Sequence, residues 1–519
     1  MKTRKQGMRR LGMAAAVLAV SSQLAAWGDE PTLFFISNSH LDTQWNWDVR
    51  TTINQYIKNT MTENFGLMDK YPNFMLNFEG SIRYKWMKEY YPDEYARLKK
   101  YIETGRWHVS GASVDANDVM VSSAESIMRN WLYGRLFFEE EFGVDGGNDI
   151  MLPDCFGFPY TLPSLAKHCG KIGFHSAKLG WGSSMYDRLP GWGIWKGVDG
   201  SQIYAVYKPD AYDSHEKYNK DMANDADIQR RISENKDKYG IAAEIRYVGP
   251  RSDHGGGLHD NANSSGDNTP YWLNRSVDSE GPVKVKLATP DEIFRYLAEQ
   301  DNTKVNIYDG ELPMRNHGVG AYTSQAVLKR WNRKNELLAD AAEKASVAAE
   351  WLGASAYPRE ALRDAWVTNL WQAHHDGITG TSIPKAYVFS QNEYTMANKA
   401  FGDAFRTAVG AMTRALDTKV EGTPIVVYNP LSINRNDVAE ATIPCGSKPA
   451  GVRVFDGNGN EVLAQVTGYN ASRGEATVIF AATVPSLGCA VFDVRLGEEC
   501  TLGSDLTLDE SKKQISNGR

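Results

Sequence analysis

From Leu33 to about Gly320, short apolar runs alternate with amphipathic stretches, beginning with Leu33-Phe34-Phe35-Ile36 and including Ala124–Phe142 and Pro290–Gln300. The short runs read as buried strands and the longer periodic segments as helices packed on them. This alternation predicts an α/β catalytic domain over residues 29–322, with polar side chains at strand ends available for a site. From Ser324 the pattern becomes almost wholly helical: Gln325–Leu352, Pro358–His375 and Pro384–Leu416, separated by glycine or proline, predict a three-helix bundle over residues 323–418. After Thr423 the period shortens again. Ile425–Tyr428, Ala439–Ile443, Val452–Phe455, Glu461–Val466 and Ala476–Val484 predict a small β-sandwich over residues 419–500, followed by a tail, 501–519. The polar stretch Asp253–Pro270, rich in Gly, Asn, Ser and Asp, predicts a loop that either shapes a neighbouring site or lies in solvent.

The first 28 residues follow a different rule. Lys2, Arg4, Lys5, Arg9 and Arg10 precede an apolar stretch from Leu11 to Val20 and small residues at Ala25 and Ala26, the layout of a secretory signal peptide cleaved near Trp27 or Asp29. The apolar stretch is short for a membrane span, no cysteine follows it for lipidation, and no other segment reaches transmembrane length. A periplasmic or secreted location is expected. The net charge of −7, with no sustained basic stripe, argues against nucleic acid as a partner. The five cysteines, Cys155, Cys169, Cys445, Cys489 and Cys500, leave at least one thiol unpaired in a monomer, and spacing does not decide whether Cys155 and Cys169 form a bridge. The oligomeric state is not encoded in any pattern of this kind.

Three segments carry chemistry. His40-Leu41-Asp42 follows the first apolar run, and residues two apart in an extended segment share a side, so His40 and Asp42 can share a ligand. Asp154, in Leu152-Pro153-Asp154-Cys155-Phe156-Gly157, is a carboxylate among apolar, Gly and Pro residues, where an unpaired charge is costly. His374-His375-Asp376-Gly377 ends a helical pattern, and polar groups at a helix end are free to face a site. One or two imidazoles with two carboxylates form a mixed N/O set that suits zinc, with other divalent ions open. No HExxH helix or CxxC pair is present.

These segments, in this order, resemble the signature blocks of the zinc-dependent retaining α-mannosidases of glycoside hydrolase family 38. Gly105-Arg106-Trp107, Gly310-Glu311-Leu312 and Gly318-Val319-Gly320-Ala321-Tyr322-Thr323-Ser324-Gln325-Ala326 resemble further blocks between them, and the likeness runs from about Leu33 to about Leu496. The resemblance implies one zinc ion per chain on His40, Asp42, Asp154 and His375, with Asp154 also the nucleophile and His374 the less suited imidazole of its pair. It implies that Trp45 and Phe156 wall the sugar subsite and that Asp376 hydrogen-bonds sugar hydroxyls. For the acid/base it points to Asp253, in a block similar to the Asp-His-Gly-Gly-Gly of bacterial members, with Asp210, Asp260 and Asp309 as weaker candidates. The implied reaction is hydrolysis of a terminal α-mannoside of a glycan by double displacement, a phosphorylated or glycerate-linked mannoside having less support. Two other classes remain open. A zinc-dependent carbohydrate deacetylase would use similar ligands, and a truncated mannoside-binding remnant would bind without cleaving, because relatives continue into a large β-sandwich domain beyond the position of Arg519.

Overall fold

The computed structural model describes residues 30–181, 183, 185–210, 218–250, 253–260, 268–503 and 506–517. The expected signal peptide, residues 1–28, lies outside them, as do Arg251 and Ser252 of the glycine-rich block. The strands of the first part are β1 (Thr32–Ser37), β2 (Leu76–Glu79), β3 (Trp107–Ser110), β4 (Asp149–Met151), β5 (Gly157–Phe158), β6 (Gly173–His175), β7 (Trp192–Lys196), β8 (Gln202–Val206), β9 (Ala243–Val248), β10 (Lys284–Leu287), β11 (Ile307–Asp309) and β12 (Leu312–Pro313). β1 lies between β9 and β10 and is parallel to both, with Thr32 opposite Ala243 and Lys284. β2 and β3 pair in parallel, and a bridge from Asn38 to Asn77 continues β1 onto β2 in the same direction. β4, β6 and β8 are parallel neighbours, and β7 adds an antiparallel strand that β11 flanks.

Parallel pairing requires crossovers, which the helices Ile57–Lys70, Pro92–Glu103, Ala124–Phe142 and Ala226–Tyr239 provide. Every position of β1 is buried. Leu33 and Phe35 enter a core shared with Phe78 and Trp107, whereas Phe34 and Ile36 enter another with Tyr247 and Phe294. A strand covered on both faces reads as an uninterrupted apolar run, which is why Leu33–Ile36 stood out in the sequence. β1, β2 and β9 run in the same direction, so their carboxyl ends deliver His40 and Asp42, Glu79 and Asp253 to a common edge, where Asp154, just past the end of β4, meets them.

The helices Ala326–Trp351, Arg359–Trp371 and Pro384–Ala415 follow. Ala345, Ala349, Ala408 and Met412 form a small core between the first and third of them, but Ala339, Leu362, Trp366, Leu370 and Phe401 belong to the same cluster as Leu33 and Phe35, and the Trp371 ring meets Trp86 edge-on at 5.4 Å. Arg129 binds Glu343 at 2.6 Å, with its guanidinium 4.7 Å from the centre of the Trp366 ring. The helix expected to reach His375 stops at Trp371. Beyond it the backbone is drawn onto another segment, where the Asp118 N–H donates to the Ala373 carbonyl, the His375 N–H donates to the Ala116 carbonyl, and Asn117 and His374 form an antiparallel bridge.

The last part carries two antiparallel sheets over a core of Val454, Val478, Phe480 and Phe492. The expected strand Glu461–Val466 is divided at Leu463: Glu461–Val462 joins one sheet and Ala464–Asn470 the other. Cys489–Leu496, which pairs with both Thr423–Tyr428 and Val452–Phe455, was not anticipated, because Asp493 and Arg495 interrupt its apolar character. The five cysteines are free thiols, so Cys155 and Cys169 are not bridged. Among the described residues no helix is long and apolar enough to cross a membrane.

One close approach tests this packing. A Cβ on Gly134, in Ala124–Phe142, would lie 2.2–2.5 Å from backbone atoms of Ser113, and backbone cannot swing aside. Gly134→Ala is expected to destabilise the protein by about 2 kcal/mol or more in chemical denaturation. Gly66→Ala, in an exposed helical position with nothing within 4 Å, is expected to be neutral or stabilising by up to about 1 kcal/mol.

Candidate active site

Past the end of β1 the chain stays extended, so His40 and Asp42 face the same space, with His40 Nε2 3.0 Å from Asp42 Oδ1. The Gly-rich loop after β9 clasps this segment: the Asp42 N–H donates to the Asp253 carbonyl at 2.9 Å, and the Gly255 N–H to the His40 carbonyl at 2.8 Å. From beneath, Arg83 Nε donates to the Leu41 carbonyl at 2.7 Å, and its Nη2 pairs with Asp115 at 3.0 Å in a fully buried ion pair. Gly80 permits this, because a Cβ there would lie 1.9 Å from Arg83 Nη1. Asp115 leads into the Ala116 carbonyl that receives His375. Lys329 Nζ donates to the carbonyls of Ser324 and Ile378 at 2.6 and 2.7 Å, pinning the far side of the His375 turn.

The hydrogen bonds at the ring edges assign the imidazole tautomers. His40 Nδ1 lies 3.0 Å from Glu79 Oε1, and His375 Nδ1 lies 2.9 Å from the Ala116 carbonyl oxygen. Both partners accept only, so each Nδ1 carries a proton and each neutral ring turns an Nε2 lone pair inward. There His375 Nε2 meets Asp42 Oδ1 at 3.1 Å, Asp154 Oδ2 at 3.5 Å and Asp376 Oδ2 at 3.7 Å. Lone pairs facing one another at these separations require a cation between them. Donors bonded at about 2.1 Å to one tetrahedral zinc ion lie about 3.4 Å apart, so the set fits a metal of that kind. His375 Nε2 is fully buried with no hydrogen-bond partner among the described residues, the condition of a nitrogen built to ligate. His374 differs: its Nδ1 accepts from the Asp376 N–H, which puts its proton on Nε2, and that atom donates to Asp42 Oδ1 at 3.2 Å. It holds the carboxylate instead of competing for the ion.

Without a metal ion, protons take up the charge. Burial opposes a charged imidazole at His40, but Asp42 and Glu79 outweigh it and push the group up to about 10. His375 is likewise raised against the effect of burial by Asp154 and Asp42. Asp154 is drawn down to about 2 against burial by His375 and Lys178. Burial and the neighbouring Asp42 charge push Asp376 up to about 8.

The structure thus brings His40, Asp42, Asp154, His375 and Asp376 into one buried cluster, and Asp253 offers an oxygen within 4.8 Å of ligand atoms of His40 and Asp42. Phe156 meets the His375 ring edge-on at 6.0 Å, and Trp45 is half-buried with its ring 5.9 Å from Trp47. The weaker acid/base candidates have other partners: Asp210 pairs with Arg246 at 3.2 Å, Asp309 with Lys196 at 2.7 Å, and Asp260 with Lys70. Two residues of the cluster were missed in the sequence. Glu79 ends the apolar run Leu76-Asn77-Phe78, and a charge at a strand end is the same signal that marked Asp154. Lys178, buried against Asp154 Oδ1 and 5.3 and 4.4 Å from the Phe156 and Trp181 rings, carries no such signal.

Glu79→Gln is expected to weaken zinc binding about tenfold to a hundredfold in competition with a chromophoric chelator, because it loosens the His40 ring that Glu79 orients. A divalent ion bound there would displace the protons held on His40 and His375, so calorimetric titration with zinc at neutral pH is expected to show proton release, and affinity is expected to fall as pH is lowered.

Residues 30–311 match the Glycosyl hydrolases family 38 N-terminal domain, and residues 318–412 match the Alpha mannosidase middle domain. Alpha-mannosidase G of Dictyostelium discoideum is 31% identical over 357 residues, covering 68% of this chain and 30% of the relative. Alpha-mannosidase 2C1 of Mus musculus is 27% identical over 422 residues, covering 80% of this chain and 38% of the relative. The chain therefore spans well under half the length of either. In fold it is similar to an alpha-mannosidase from Enterococcus faecalis V583, with a TM-score of 0.73 at 18% identity over 93% of this chain and 58% of that one. With more than half of its residues inside the first matched domain and the second following in order, the chain belongs to glycosyl hydrolase family 38.

Proposed function

We propose that this protein is a zinc-dependent retaining α-mannosidase that hydrolyses terminal α-mannosides of glycans. The observation that carries the reading is the arrangement at Asp154: a buried carboxylate kept ionised by Lys178 and His375 beside the inward lone pairs of His40 and His375. The relatives named as alpha-mannosidases supply the reaction class, and the family match disfavours the deacetylase alternative.

A nucleophilic carboxylate must be ionised and aimed, and Lys178 on one Asp154 oxygen meets both needs. In the proposed reaction Asp154 attacks the anomeric carbon as Asp253 protonates the departing oxygen. The C–O bond to the leaving group breaks, and an ester bond to Asp154 forms. Asp253 then deprotonates a water that displaces Asp154, so the configuration is retained. Asp253 follows β9 on the loop clasped to His40 and Asp42, where backbone hydrogen bonds hold its position. Trp45 and Phe156 present aromatic surface to the sugar, and Asp376 presents a carboxyl group to its hydroxyls. When bound on His40, Asp42, Asp154 and His375, zinc supplies Lewis acidity toward adjacent ring hydroxyls and offsets the carboxylate charge. Export to the periplasm or cell exterior belongs to the same proposal, supported by the charged-then-apolar layout of residues 1–28.

The test is release of aryl alcohol from an aryl α-mannoside by the zinc-loaded protein. Turnover is expected to be lost on chelation and restored by zinc. Asp154→Ala is expected to lower kcat by about a thousandfold or more, and α-mannose is expected as the first-formed anomer by NMR. A folded, zinc-loaded protein that binds mannosides without releasing the alcohol would overturn the catalytic reading in favour of a binding function.

A further inference from the structure

The block Gly318–Ala326 stands out in the sequence and takes no part in the chemistry described above, yet it lies against the segment that carries Asp154. Gly318 and Tyr322 are four residues apart in the helix Arg315–Thr323 and so share one face. That face rests on Phe156. A Cβ on Gly318 would lie 2.8 Å from the Phe156 carbonyl oxygen and 3.4 Å from the Phe156 Cβ, so a larger residue would push the segment away. One turn further on, the Tyr322 hydroxyl lies 3.0 Å from the same carbonyl oxygen. Just ahead of the helix, Pro313 pairs with Gly157 and ties the two chains together on that side as well. The carbonyl held in this way is only two residues from the Asp154 carboxylate.

The Tyr322 hydroxyl has a second neighbour, Asp118 Oδ2, at 2.8 Å. Asp118 is fully buried, and its Oδ1 already accepts from the Met120 and Val121 N–H groups at 3.0 and 2.8 Å. A phenol carries one proton, whereas a carbonyl and a carboxylate only accept. Were Asp118 ionised, Tyr322 could serve it or Phe156 but not both, and two oxygen lone pairs would face each other without a proton between them. A proton on Asp118 Oδ2 resolves the conflict: Asp118 donates to Tyr322, and Tyr322 donates to Phe156. Tyr322, Cys155, His375 and Lys329 face Asp118 from four separate segments. Charge on His375 and Lys329 favours the carboxylate, but burial outweighs it and pushes the Asp118 carboxyl above its usual range. The Lys329 ammonium is committed elsewhere, to the Ser324 and Ile378 carbonyls.

We infer that Asp118 is a proton-bearing positioning residue, which acts through Tyr322 on the Phe156 carbonyl and so holds the nucleophile Asp154 in place. The Asp118 N–H donates to the Ala373 carbonyl, which anchors the same residue to the turn that presents His375. The relay therefore registers the nucleophile against a ligand from a remote part of the chain, and it gives the Gly318–Ala326 block its purpose. For its kinetic consequence the inference rests on the mannosidase reading; the position of the proton rests on hydrogen-bond geometry alone.

The test begins with the infrared difference between zinc-loaded wild-type protein and Asp118→Asn at neutral pH. A carboxylic acid C=O stretch present in the wild type and lost in the variant is expected; a difference made up of carboxylate stretches would overturn the inference. Kinetics on an aryl α-mannoside then test the role. Asn keeps a donor where the proton sits, so Asp118→Asn is expected to stay within about twofold of the wild type in kcat, whereas Tyr322→Phe and Asp118→Ala each lose about tenfold with little change in KM. The double variant Tyr322→Phe/Asp118→Ala is expected to lose no more than either alone, because both changes break one chain. Unchanged kcat in Tyr322→Phe alongside a lowered Tm would reduce the pair to a structural contact, and losses that multiply in the double variant would dissolve the relay; either result overturns the inference. Wild-type protein that releases no alcohol would count against the mannosidase reading alone, since the infrared comparison still decides where the proton is.

Discussion

Buried charge of one sign is the constraint around which the protein is organised. Asp42, Asp154, Asp376 and Glu79 lie together with little solvent contact, and carboxylates cannot be packed so closely in a low-dielectric interior without positive charge among them. Lys178 provides part of it, and the two imidazoles the rest in one of two ways: protonated, His40 and His375 carry positive charge themselves, and neutral, their inward lone pairs make the same space suitable for a divalent ion. Each of these side chains is costly alone. Together they are tolerable, provided that their positions are held to within fractions of an ångström.

The fold supplies that rigidity from several directions. Parallel strands carry Glu79 and the His40–Asp42 segment to one edge, where Asp154 meets them, so that the crossover helices stabilise the site as well as the sheet. Beneath that edge the Arg83–Asp115 pair ties the Leu41 carbonyl to the segment whose Ala116 carbonyl orients His375. One buried ion pair therefore sets two ligands that lie far apart in the chain. The middle helices contribute His375 through a turn instead of a helix face, because hydrogen bonds to residues 116–118 outcompete continuation of the helix beyond Trp371. Part of their apolar surface enters the same core as β1, so packing of the middle helices is coupled to assembly of the site.

Much of this was legible in the chain. The α/β alternation, the long helices and most of the late strands follow from hydrophobic periodicity, which depends only on local geometry. His40 and Asp42 were legible because an extended backbone places residues two apart on one side, and Asp154 because a charge amid apolar residues and a proline needs a partner. Glu79 was overlooked although it has the same strand-end signature, since a single terminal carboxylate is common. Lys178 was invisible: nothing in Ser176-Ala177-Lys178-Leu179 distinguishes a surface lysine from one folded against a nucleophile.

The amino-acid order by itself determined which segments are buried, which side chains can ligate and which family the signature blocks resemble, because these properties reside in runs of a few neighbouring residues. Only the tertiary structure decided which nitrogen of each histidine faces the ligand space and that His374 holds Asp42 through a hydrogen bond. Those outcomes depend on groups remote in sequence, the Ala116 carbonyl on His375 and the Glu79 carboxylate on His40, which meet only when the strands align and the middle helices dock.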